Sequence, residues 1–208
     1  CLIPAALKIF DLRLMKRIFS SYLFGMPESR LRKYARDFVE EVVPKIAYPE
    51  VVAEVERLKK EGYKMILNSA SPEFYVREIS DHFGFDHFIG TNLILTNPMP
   101  FLPEIIGPNN KKAAKITAMK ERGLIPEDYE MESGPFPDSW AFSDSSADIP
   151  LLSIAENSVT IHPGKVLAEK ARQKGWAILL PARPYRGKWG SKIATFSLAL
   201  GMGKKYLG

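Results

Sequence analysis

The chain has 208 residues, 46% apolar and 25% charged, the composition of an ordinary soluble globular protein. That length accommodates one α/β domain with a smaller inserted or appended part. Its single cysteine, Cys1, excludes an intrachain disulfide and a cysteine-based metal centre, and fits a reducing, cytoplasmic location. No apolar run approaches the roughly 20 residues that span a bilayer, and the first residues lack the pattern of a secretory signal. The net charge of +5 is uneven: six basic residues and no acid follow Pro181, leaving 23 basic against 24 acidic residues before it. The basic character belongs to the tail, which argues against nucleic-acid binding by the whole domain.

Residues 5–24 read as a helix, with Leu7, Phe10, Leu14 and Ile18 at helical spacing and a stop at Gly25 and Pro27. Residues 28–43 form a clearer one. Leu31, Tyr34, Ala35, Phe38, Val39 and Val42 make its apolar stripe, and Pro44 is expected to end it. The two make an αα-hairpin without a residue of catalytic type. A third helix spans 49–61, with Pro49 suited to its first turn and Gly62 closing it. Tyr63–Leu67 then reads as a buried strand. It runs into the small polar loop Asn68-Ser69-Ala70-Ser71-Pro72 and a helix from Pro72 to about Phe83. Helix, strand, polar loop and helix in that order build half of a parallel-sheet unit. Ser69 and Ser71 stand where hydroxyls and helix-start N–H groups meet an anion such as phosphate. Equally, one of them is placed to cap the helix.

Residues 88–95 read as strand, in one piece or as a hairpin, and 96–110, with four prolines, as a loop. A helix is expected over 111–123, capped by Asn109 or Asn110. Lys111, Lys112 and Lys115 in its first turns oppose the helix dipole, so they call for an anionic partner unless solvated. Lys112 has Ile116 and Met119 at i+4 and i+7 and is expected at the inward edge, with Lys111 and Lys115 toward solvent. Residues 124–139 read as a loop, 157–161 as a strand, 165–174 as a helix stopped by Gly175, and 176–180 as the last strand.

Between these lies WAFSDSSADIPLL, residues 140–152. A short apolar run ends in Asp144, and Asp148 follows just before a helix start. Ligands of open α/β sheets collect beyond the carboxyl ends of strands, and two acids there suit a divalent cation, which takes oxygen ligands. Turn and helix-cap chemistry uses the same residue type.

The strings ILNSASPEFYV, FIGTNLI, NNKKAAKI, FSDSSADIPLL and HPGKVLAEKARQKGWAIL follow one another over roughly residues 25–180. In that order the chain resembles the haloacid-dehalogenase-like phosphatases, closest to the phosphoserine-phosphatase-like branch. The resemblance implies an α/β fold: a Rossmann-like parallel sheet with helices on both faces and a small helical cap. The divisions expected from it are a cap at 1–47, an α/β core at 48–180 and a basic C-terminal extension at 181–208. It also implies a Mg²⁺-dependent phosphomonoester hydrolase acting on a small phosphorylated substrate through an aspartyl-phosphate. By position, Ser69, Ala70 and Lys112 would hold the phosphoryl group. Asp144 would ligate Mg²⁺, and Asp148 would bind it through water or orient the lysine. Lys111 is the alternative to Lys112.

One departure stands out. The family's Asp-x-Asp motif after an apolar strand is absent; Asp11 sits in a helical context with Arg13 two residues on. With a first residue other than Met, the expectation is a truncated chain, its nucleophile and first core strand upstream of residue 1, inactive alone. The alternative is a catalytically silent phosphate- or partner-binding module on the same scaffold. The tail, residues 183–208, mixes basic residues with Trp189, Phe196 and Tyr206. It suits either weak contact with an acidic membrane surface or a packed C-terminal helix.

Overall fold

The computed structural model describes Arg17 and residues 20–182. The expected N-terminal helix, except at its last residues, and the basic tail lie outside that range. In chain order the elements are α1 (Glu28–Glu41), α2 (Val43–Ile46), α3 (Pro49–Lys60), β1 (Ile66–Pro72), α4 (Glu73–Phe83), β2 (His87–Thr91), α5 (Ala114–Glu121), β3 (Phe136–Ser143), α6 (Ile149–Ser153), β4 (Ala155–Ile161), α7 (Lys165–Lys174) and β5 (Ala177–Leu179). Helices alternate with parallel strands, as expected for a Rossmann-like α/β fold. The described strands form two sheets, β1-β2 and β3-β4-β5. No described helix is long and apolar enough to cross a membrane. Two compact units partition the described residues.

Of the described residues, the first unit holds Arg17, 20–47 and 63–109. Helix α1 buries Leu31, Ala35 and Val39, one stripe at four-residue spacing. It lies against α4, where Phe38 and Tyr75 meet at 5.5 Å between ring centroids. Pro44 does not simply end a helix: α1 stops at Glu41 and Pro44 falls in the first turn of α2, where its missing N–H goes unneeded. The core here is Leu23, Leu31, Leu93, Met99 and Ile105.

Strand β1 corrects the expected span. Tyr63 and Lys64 precede it, and the polar stretch Asn68–Pro72 belongs to it. Pairing rather than side-chain character decides this. Ile66, Leu67 and Asn68 pair in parallel with His87, Phe88 and Ile89, and the register slips before Pro72 meets Thr91. Residues 69–71 therefore form an irregular strand end. Past β2, the chain pairs Leu93 with Ile105 across the proline-rich loop, so the hairpin expected within 88–95 is wider. At Gly90 a Cβ would stand 2.5 Å from the Cα of Glu73, so β2 and the start of α4 meet at a distance only glycine permits.

The second unit holds residues 48–62 and 110–182. Strand β3 begins at Phe136, within the stretch expected as loop. Phe136 pairs with Ala155, and a register slip separates that pair from Trp140 and Asn157. The expected end of the chain's regular structure holds well: α7 buries Leu167 and Ala171, and Gly175 closes it with φ 69°. Arg57 of α3 lies over the Trp140 ring, 5.3 Å from its centroid. Ile116, Tyr129 and Ile154 form the core under α5 and α6. A cavity of about 410 Å³ between Trp140, Asn157, Lys174 and Trp176 contains none of the expected site residues.

Candidate active site

In the first unit the expected phosphate-binding residues stand at the irregular end of β1. Ser69 Oγ accepts the N–H of Ser71 at 3.1 Å, and both serines are half-buried. Neither serine caps α4, whose N-cap position is Pro72 and has no side-chain cap. The turn is held from β2. Thr91, 1% exposed, donates its hydroxyl to the carbonyl of Ala70 at 2.8 Å and lies 3.2 Å from Asn109 Oδ1. Thr91 thus buttresses the backbone on which Ser69 and Ala70 sit. Nothing in its sequence context announced this, because the pairing of Pro72 with Thr91 supplies the reach.

In the second unit the chain leaves β3 at Ser143 and turns sharply. Ser145 caps the following turn by accepting the N–H of Ala147 at 3.2 Å, and the N–H of Asp148 donates to Ser145 O at 3.0 Å. Asp144 is exposed, whereas Asp148 is buried. A carboxylate out of water needs partners, and Asp148 has two: Lys115 Nζ and Ser143 Oγ each lie 2.8 Å from its Oδ2. The Lys115 and Asp148 side chains keep only 6% and 12% of their surface, so this is a buried, charge-assisted pair.

The order expected for the lysines is inverted. Lys115, expected toward solvent, is buried and meets Asp148; Lys112, expected inward, is exposed. The cause is the late start of α5. Lys112 has φ 58°, in the left-handed region that no helical residue occupies, and the helix begins only at Ala114. Neither Asn109 nor Asn110 caps it. From that start Lys115, Ile116 and Met119 share the buried face.

Among the described residues no group of three or more His, Cys, Asp or Glu side chains is placed to hold a metal. A closed all-protein cage is therefore not what these residues offer. Mg²⁺ asks for less: it keeps several waters and takes one or two carboxylates. The exposed carboxylate of Asp144 and the second oxygen of Asp148 suit that mode.

A family model described as haloacid dehalogenase-like hydrolase matches residues 3–153. A histidinol-phosphatase of Neisseria meningitidis is 27% identical over 157 residues, which cover 73% of this chain and 67% of that protein. The chain spans 61–67% of the length of the first curated relatives it matches. Among solved structures, a Bordetella pertussis protein of unknown function aligns with a TM-score of 0.68 at 20% identity, over 86% of this chain and 79% of that one. A phosphoserine phosphatase, solved as an analogue of its phospho-aspartyl intermediate, aligns with a TM-score of 0.55 at 19% identity, over 90% and 78%. At such identities the structural likeness bears on the fold.

Proposed function

Because the chain belongs to the haloacid dehalogenase-like hydrolase family, we propose that it belongs to a Mg²⁺-dependent phosphomonoester hydrolase. The observation that carries the reading is the buried Lys115–Asp148–Ser143 cluster with exposed Asp144 beside it, at the carboxyl end of a parallel strand. The relatives named for histidinol phosphate and phosphoserine support a small phosphorylated substrate.

In this reading Asp144 holds Mg²⁺, with Asp148 reaching it through water. When bound, the cation screens the phosphoryl oxygens and steadies the leaving oxygen. Lys115 takes the place expected for Lys112: its ammonium, oriented by Asp148, offsets charge on the phosphoryl group and on the attacking carboxylate. In the first unit, Ser69 and Ala70, whose carbonyl Thr91 holds, are the phosphate-binding candidates. The helical residues before 48 act as the cap. The reading calls for an attacking aspartate, which would form a covalent aspartyl-phosphate and then yield it to water; no Asp-x-Asp follows an apolar strand in these 208 residues.

The test is to extend the chain by its upstream reading frame and assay p-nitrophenyl phosphate with Mg²⁺. An in-frame apolar strand ending in Asp-x-Asp should confer turnover, and Asp144→Asn should lower it at least a hundredfold. A verified frame without that motif overturns the reading in favour of a silent phosphate-binding module, and an Asp144→Asn protein with undiminished turnover overturns the assignment of Asp144 to the cation.

A further inference from the structure

Both donors that reach Asp148 use one oxygen. Lys115 Nζ and Ser143 Oγ converge on Oδ2 at 2.8 Å each, while Oδ1 accepts no hydrogen bond from a described residue. Ser143 is itself fixed. Its Oγ accepts the backbone N–H of Ser145 at 3.1 Å, which commits its single proton to Asp148. Ser143 is buried, with 8% of its surface exposed.

A lysine alone would not hold such a carboxylate in one orientation. An ammonium is a compact charge on a flexible stem and accepts either oxygen. The terminal torsion of an aspartate is broad and nearly two-fold. A second donor at a fixed backbone position breaks that symmetry. Ser143 supplies it from the last residue of β3, one residue before Asp144. We propose that Ser143 is a positioning residue: it locks Asp148 with Oδ2 on Lys115 and turns Oδ1 toward the cation held by Asp144. The inference rests on the metal reading above only for its last clause. The orientation of Asp148 and Lys115 is a separate, metal-free property.

Both properties are measurable by NMR on the full chain, using Ser143→Ala, Ser143→Cys and Ser143→Thr. The first readout is the Lys115 side-chain ammonium signal without metal. The second is the midpoint of a Mg²⁺ titration, followed at the amides of Ser145 and Asp148. Wild type and Ser143→Thr should give one sharp ammonium signal and midpoints within about twofold of each other. Ser143→Ala and Ser143→Cys should broaden that signal and raise the midpoint more than about threefold, less than the ~10-fold lost when the partner of a direct metal ligand is removed. A folded Ser143→Ala with wild-type signal and midpoint overturns the inference. So does failure of both Ala and Cys variants to fold where Thr folds, which assigns Ser143 to folding alone. If wild type shows no Mg²⁺ response yet the ammonium signal depends on Ser143, the metal reading fails and the positioning of Asp148 stands.

Discussion

Lys115 is where residue chemistry and tertiary structure meet most sharply. Its charge is kept in the interior because Asp148 receives it at 2.8 Å. Removing one partner strands the other, and for buried pairs that typically costs about 3–5 kcal/mol. Lys115→Met should therefore lower stability by an amount of that order in urea unfolding. Lys115→Met combined with Asp148→Asn should recover part of it. A single variant as stable as wild type would mean that Asp148 finds compensation from water. Asp144 and Asp148 were legible in the sequence as a pair; their different burial was not, because it depends on which lysine α5 turns inward. That in turn depends on the left-handed Lys112, a backbone choice that side-chain spacing does not encode. Tyr75 gives a second prediction. Burial pushes its phenol up to about 12, from an ordinary value of 10.0. The neutral form is the one that burial favours, so its contribution to stability is complete below pH 10 and is lost as pH rises through about 12. Burial also raises the phenols of Tyr22 and Tyr129, so phenolate absorbance should keep rising late, and Tyr75→Phe should remove one equivalent of it near pH 12. If that equivalent survives the substitution, it belongs to another tyrosine.

At the scale of elements, the helices were the legible part. Helix α7 matches its expected span at both ends, because its apolar stripe and Gly175 are local signals. Strand limits were less so. Asn68–Pro72 and Phe136–Ser139 look like loop by composition and become strand by pairing with β2 and β4. A residue's strand character here is a property of its partner, which sits about 20 positions away in sequence and is invisible to a local window. The β2–α4 contact gives the test at this scale. With Glu73 Cα only 2.5 Å from where a Cβ would stand, Gly90→Ala must shift backbone. Overpacking of this kind costs about 1–3 kcal/mol. The loss should appear in the unfolding midpoint, and amide shifts should change at Glu73 as well as at position 90. An unchanged midpoint would show that β2 and α4 separate without penalty.

For the whole molecule, the outline of a haloacid dehalogenase-like chain was readable from the order of its short strings. Each string marks a strand end or a helix start, where side-chain types are most constrained. What the strings do not contain is an attacking carboxylate, and the chain spans only 61–67% of its first curated relatives. On the proposed reading, which finds no attacking aspartate in these 208 residues, the chain alone should hydrolyse p-nitrophenyl phosphate no faster than buffer with Mg²⁺. Turnover abolished by Asp144→Asn in that same chain would mean that it carries its own nucleophile.

The turn after β3 has a thermodynamic consequence of its own. Ser143 and Ser145 accept the N–H groups of Ser145 and Ala147, and Asp148 closes back on Ser145 O. The loop that presents both acids is thus knotted to itself before any ligand arrives. Its ordering entropy is spent during folding, not at encounter. Cation binding there should release hydration water without freezing backbone. Its calorimetric heat-capacity change should accordingly be small, unlike the large negative value of a segment that folds as it binds.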